Sequence, residues 1–261
     1  MVFRSYIITI CCLLFSQTVF AQESDFRTRL SRDITNELIY TSSWSANFRL
    51  RSDGWQVGGE ITKSKNYFRS TIYQFDLGLY KHPKQVRQNK DPYAGFFNSN
   101  GIRPFIYGKQ HSLFALHAAI GQKFLLAEKA RRNGVMINYY YVGGVTLGLL
   151  KPYYLRVCAD AQCSRLEVVT YDPDSDNNFL NYDYIYGGAG FGKGWELKFR
   201  PGLHARTGLQ FDWSSQDNVI KAVEVGISAD GYFGRVPMMV IEKNKFLFFN
   251  AFVGISMGKK K

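Results

Sequence analysis

Residues Leu203 to Ser214 alternate strictly between two kinds of side chain. Leu203, Ala205, Thr207, Leu209, Phe211 and Trp213 fall on one face, and His204, Arg206, Gly208, Gln210, Asp212 and Ser214 fall on the other. A period of two puts successive side chains on opposite sides of a pleated sheet, so the segment reads as a β-strand. The same rhythm predicts strands over 37–51, 55–62, 67–80, 112–124, 135–150, 187–199, 203–214, 219–232 and 246–257. Phe105–Lys109 and Pro237–Ile241 are weaker strand candidates. The period blurs at Val142-Gly143-Gly144, where a β-bulge is expected. Two long polar connections, 82–103 and 151–186, interrupt the pattern.

Length separates the two folds that such alternation serves. Strands of a soluble sandwich usually run about five or six residues and turn their apolar face into a core. A tilted membrane strand needs roughly 9–11 residues and turns its apolar face to lipid. Several runs here last ten residues or more, so the reading is an all-β, antiparallel transmembrane β-barrel. Bacterial single-chain barrels have even strand numbers. Eight or ten strands are therefore expected, with ten preferred.

The first residues support an exported chain. Arg4, the short apolar stretch from Tyr6 to Phe15 and Val19-Phe20-Ala21 match a cleaved secretory signal over 1–21. The expected order is then a periplasmic segment over 22–36, the barrel over 37–258 and a basic tail over 259–261, with the protein in the outer membrane. Formal charge is +12, and Arg4 would leave with the signal. In an exported protein this points to anionic neighbours such as outer-membrane lipid and lipopolysaccharide rather than nucleic acid. Cys158 and Cys163 are close in the sequence inside the second long connection, and an oxidising compartment favours a local disulfide between them.

The polar faces carry the candidate chemistry. Glu60, Asp76, His117, His204, Arg206, Asp212, Glu224 and Asp230 are expected to point into the lumen and form a polar network. An interior of eight to ten strands leaves little open bore, and charges buried in it must pair. A lipid-modifying hydrolase would need a nucleophile and base within reach of each other. His111-Ser112, His117 and His204 are the available starting points, but no Gly-x-Ser-x-Gly elbow and no His-x-x-x-His or Cys-x-x-Cys spacing occurs. No cofactor or metal is therefore expected. The acidic run Asp172-Pro173-Asp174-Ser175-Asp176 lacks the glycine and closing glutamate of a calcium loop and reads as solvated.

Several stretches taken together resemble a family of uncharacterised outer-membrane β-barrel proteins of Bacteroidota. They include Trp55-Gln-Val-Gly-Gly-Glu60, Lys81-His82-Pro83-Lys84, Tyr107-Gly108-Lys109-Gln110-His111 and Leu147-Gly-Leu-Leu-Lys-Pro-Tyr-Tyr154. Pro201-Gly202-Leu203, Ala222-Val-Glu224-Val-Gly226 and the phenylalanine-rich last strand belong to the same set. The resemblance implies a barrel of modest size and supplies no catalytic residues. The expected role is non-enzymatic: a docking or accessory component of an envelope assembly or secretion complex, with partners reached through loops 82–103 and 151–186. The alternatives are a narrow passive channel for small solutes and, behind it, a lipid-modifying enzyme.

Overall fold

A computed structural model describes residues 41–90, 103–129, 134–160, 162–174, 178–192, 194, 196–214, 218–242 and 244–261. The expected signal over 1–21 and periplasmic segment over 22–36 lie outside the described residues, as does the start of the first predicted strand.

Eight long strands close into an antiparallel barrel. They are β1 (Ser42–Arg51), β2 (Gly54–Asn66), β3 (Arg69–Tyr80), β6 (His111–Ala127), β7 (Met136–Pro152), β11 (Lys198–Asp212), β12 (Val219–Tyr232) and β13 (Leu247–Lys260). The order around the wall is β1-β13-β12-β11-β7-β6-β3-β2, so each strand pairs with its neighbours in the chain and β13 closes on β1. Closure leaves no free sheet edge. The last strand runs into the lysine tail, where Lys259 pairs with Trp44 and Lys260 with Ser43.

The barrel has eight strands, not the ten preferred from the sequence. The segment 187–199 is no wall strand. Its first residues end β10 (Ile185–Gly188), which pairs with β8 (Tyr154–Cys158), and β8 also pairs with β9 (Leu166–Thr170). Its last residues, Lys198 and Phe199, open β11, which runs straight through Pro201-Gly202. Proline is tolerated there because β11 pairs with β12 only from Gly202 onward, while Pro201 lies opposite Leu147 of β7 alone. The weaker candidates are not wall strands either. Phe105 and Ile106 form β5 (Phe105–Ile106), paired with β4 (Arg87–Gln88), and within 237–241 only an isolated bridge from Met239 to Lys109 forms.

The expected bulge at Val142–Gly144 is absent, since β7 pairs with β6 and β11 there without a shift. Gly143-Gly144 blurs the period for another reason. A β-carbon on Gly144 would stand 2.1 Å from the Ala118 carbonyl oxygen, so glycine lets two wall strands approach closely. Register irregularities occur instead at Ser64/Asn66 and Leu125/Ala127.

Burial along the wall strands is inverted relative to a soluble protein. Apolar side chains face outward, with Phe249 73% exposed and Phe75 65%, while Ser45, Asn47, Arg49 and Arg51 of β1 are buried inside. Trp44 and Trp213 lie toward one end of this outer belt and Trp55 toward the other. The chain enters and leaves at the end bearing the short connections β2–β3, β6–β7 and β11–β12. The opposite end carries three long connections, 81–110, 153–197 and 233–246.

Two apolar clusters cap that loop end. Val236, Met238 and Met239 of the third connection fold into the barrel mouth against Leu113, Ala115, Leu150, Tyr80 and Tyr232. The first two connections build a small cap whose core joins Phe105, Leu155, Val157, Phe179 and Ile185. Cys158 and Cys163 are disulfide-bonded within this cap, as their spacing suggested. Asp172 and Asp174 are exposed and form a turn in which the Asp174 N–H donates to Asp172 Oδ1, while Ser175 and Asp176 lie outside the described residues.

Candidate functional site

The eight candidate polar residues all point into the lumen and are buried there. Alternation explains why: each lies in phase with the polar face of its strand, so closing the sheet brings them to one side. They do not form one cluster but stack in layers along the barrel axis.

The layer below the mouth centres on Asp230. Its Oδ2 accepts from Arg51 Nη2 at 2.8 Å and from the Tyr80 hydroxyl at 2.6 Å. Its Oδ1 lies 3.1 Å from His117 Nε2 and 2.5 Å from His204 Nδ1. A carboxylate only accepts, so these contacts select the Nε2–H tautomer of His117 and the Nδ1–H tautomer of His204. Arg51 Nη1 also donates to the Tyr80 hydroxyl at 2.7 Å, and its guanidinium lies 4.3 Å from the centre of the Tyr80 ring.

The middle layer is a chain of ion pairs. Arg49 donates to Asp76 Oδ1 at 3.0 Å and to Glu224 Oε2 at 2.8 Å. Arg206 donates to the other oxygen of Asp76 at 3.0 Å and to Gln74 at 3.1 Å. The Tyr140 hydroxyl donates to Glu224 Oε2 at 3.3 Å. Closer to the termini, Glu60 accepts from Lys123, from Gln74 at 2.8 Å and from Thr62 at 3.1 Å. At the rim bearing the short turns Asp212 faces Lys129 at 3.9 Å and Lys260 at 4.0 Å.

Asp230, Asp76, Glu224 and Glu60 thus each meet a cation among Arg51, Arg49, Arg206 and Lys123, and Arg51 also lies 3.2 Å from Asp53. Such pairing offsets a desolvation cost that would otherwise be several kcal/mol per ion. The pairs also cross the bore. Arg49 on β1 reaches both β3 and β12, and Arg206 on β11 reaches β3, so side chains replace open space in the middle of the barrel.

His117, His204 and Asp230 offer three ligand-type atoms within 4.8 Å of one another. The sequence carried no spacing for this group, because its members come from three strands. A cation between them would have to displace both imidazole protons while standing beside the Arg51 guanidinium, so electrostatics favours the proton-filled arrangement. His111 and Ser112 do not face each other as a base and a nucleophile. His111 Nδ1 lies 2.8 Å from the Pro237 carbonyl oxygen, and its neighbour Ser112 points to the other side of the sheet.

The candidates left out Arg49, Arg51, Gln74, Tyr80, Lys123 and Tyr140, which complete these layers. Arg49 and Arg51 are legible as inward by parity alone. Tyr80 and Tyr140 are harder to see, because an inward tyrosine looks the same in a sequence as an outward one.

No protein-family model matches the chain, and no curated protein matches it. In solved structures it is similar to the N-terminal β-barrel domain of Pseudomonas aeruginosa OprF, at 10% identity over 84% of this chain and 98% of that one, TM-score 0.35. It is likewise similar to Ail, the attachment invasion locus protein of Yersinia pestis, at 9% identity over 84% and 95%, TM-score 0.37. Neisserial surface protein A is similar at 10% identity over 84% and 96%, TM-score 0.40. Scores and identities this low carry no role from those proteins to this one.

Proposed function

We propose that the chain is a non-enzymatic outer-membrane barrel with a closed lumen, which presents its capped loop end as a docking surface within an envelope assembly or secretion complex. The outward apolar belt, with tryptophans toward both ends, suits a bilayer. Both ends of the wall and the short turns lie at one rim, the usual arrangement for the periplasmic side, which supports a reading with the cap outside the cell.

The observation that carries the reading is the cross-bore ladder through Arg49, Asp76, Arg206 and Glu224 beneath the Met238–Met239 plug. It argues against the narrow-channel alternative and leaves the cap as the surface free to act. The cap has its own apolar core and a disulfide, so it is a shaped element able to recognise a partner. Purification of the native protein in mild detergent tests this: a stoichiometric envelope protein retained by the intact chain, and lost when the cap residues 154–188 are replaced by a short turn, is the expected result. Retention without the cap would overturn the docking role.

A further inference from the structure

Beside the loop end, on the outer surface of β3, β6 and β7, a cavity of about 650 Å³ opens under the first two connections. Its lower wall continues the apolar belt through Leu79, Phe114 and Phe191. Its upper wall is basic, formed by Lys81, Arg87, Arg103, Lys109 and Lys151. Among the described residues that line it there is no carboxylate.

Lys109 makes the imbalance physical. It is only 7% exposed, no carboxylate of a described residue pairs with it, and its ammonium lies 5.4 Å from the centre of the Tyr153 ring. Burial and the charges of Lys81 and Arg87 pull its pKa from 10.5 down to about 8. A buried cation repelled by its neighbours is normally balanced by an anion. Lys151 contributes differently: its ammonium donates to the Phe191 carbonyl and lies 3.8 Å from that ring's centre, which holds the aromatic wall in place. Arg103 extends across Gly190, where a β-carbon would come 2.4 Å from its Nη1. Glycine thereby leaves room for a guanidinium at the rim.

Cations above an apolar wall match a charged headgroup whose chains descend along a barrel. Of anionic groups, a phosphomonoester offers several acceptor oxygens to point-charge lysines and to forked arginines. We propose that this cavity binds a phosphomonoester carried on the headgroup of an outer-leaflet glycolipid. The lipid source rests on the membrane orientation proposed above; the preference for phosphate does not.

Two arms test it. Protein in zwitterionic detergent is titrated with inorganic phosphate and with glucosamine 1-phosphate, and protein in phosphatidylcholine nanodiscs is offered bisphosphorylated lipid A against the same lipid dephosphorylated. Preferential retention of the phosphorylated lipid is expected, and Arg103→Gln with Lys109→Gln should weaken it by at least about tenfold, the loss expected for two charge-assisted contacts. Lys84→Gln, at a lysine paired with Glu242 outside the cavity, should leave retention unchanged. Heat-modified gel mobility shows that each variant has folded. Equal retention of both lipids, or full retention by the double variant, overturns the proposal. Binding of free phosphate without any preference for the phosphorylated lipid overturns it too, because the source is then soluble. Labelling Asn89→Cys on intact cells reads orientation separately: an unlabelled loop sinks the outward placement of the cap while leaving the detergent arm as it stands.

Discussion

The Tyr80 hydroxyl and the Asp230 carboxylate meet over 2.6 Å from strands on opposite sides of the barrel, β3 and β12. Four wall steps separate these strands in either direction, so this one hydrogen bond spans the lumen. Asp230 also gathers Arg51, His117 and His204 from three further strands, and the layer acts as a tie across the cylinder. Removing the carboxylate is therefore expected to cost far more than removing the hydroxyl. Asp230→Ala takes the carboxylate from two buried imidazole donors and leaves Arg51 with Asp53, 3.2 Å away, as its remaining counter-charge, at about 3–5 kcal/mol. Tyr80→Phe removes the donor to Asp230 and one acceptor of Arg51 but leaves the Asp230–Arg51 pair in place, at about 1–2 kcal/mol. Urea unfolding from phospholipid vesicles measures both, and equal or negligible losses would show that the layer does not hold the wall together.

Closure of the bore gives a second expectation. The Val236, Met238 and Met239 plug and the Arg49–Asp76–Arg206–Glu224 ladder are separate seals in series. Met238→Ser with Met239→Ser should leave a planar bilayer silent, since the ladder still fills the middle. Adding Arg49→Ser and Arg206→Ser should open a small current. That current should prefer cations, because Asp76 and Glu224 then lack their partners. A steady current through the unaltered chain would contradict the closed lumen.

Much of this was readable in the chain, and the limits have physical causes. Parity assigns a face, so Glu60, Asp76, His117, His204, Arg206, Asp212, Glu224 and Asp230 could be placed inside without knowing any partner. It cannot say that Asp76 joins two arginines or that Asp230 collects four donors, because those contacts cross strands far apart in sequence. Eight strands is one of the two numbers expected, and the preference for ten failed for a related reason. Gly187 to Phe199 has strand-like composition, and its first residues do pair, but in the cap with β8 rather than in the wall. Met238 and Met239 read as part of a weak strand over 237–241 and not as a plug, because a short apolar stretch in a loop has no period and its burial depends on the cavity it fills.

Adjacent glycines on β2 offer a direct check of which face is crowded. A β-carbon on inward Gly58 would lie 2.0 Å from Asp76 Oδ1 and 2.3 Å from the Phe75 carbonyl oxygen, whereas one on outward Gly59 meets nothing closer than the Ser45 carbonyl oxygen at 3.9 Å. Gly58→Ala must displace the acceptor shared by Arg49 and Arg206, so a loss of about 1–3 kcal/mol is expected. Gly59→Ala should be neutral or slightly stabilising, since it removes backbone freedom from the unfolded chain. Denaturant midpoints in vesicles compare the two. Equal tolerance would mean the lumen is looser than the ion-pair distances require.

Lys109 provides a test that depends on pH. Its folded-state pKa is about 8 against an ordinary 10.5, so the charged form is disfavoured by folding. The charged groups lining the cavity with it are Lys81, Arg87, Arg103 and Lys151, with the Tyr153 ring alongside. The unfolded chain binds the proton more tightly, and stability therefore rises with pH between the two values. The penalty is fully present below pH 8, shrinks from there and is gone above pH 10.5. Lys109→Met should accordingly stabilise lipid-free protein in detergent at pH 7, by about 1–3 kcal/mol. Its advantage over the parent chain should fade as pH climbs through 8 toward 10.5, read as the difference between two unfolding curves at each pH so that tyrosine titration common to both cancels. Saturating the cavity with a phosphorylated lipid should reverse the order at pH 7, because the lysine then has its counter-charge. A variant no more stable than the parent at pH 7 without lipid would show that Lys109 is already compensated.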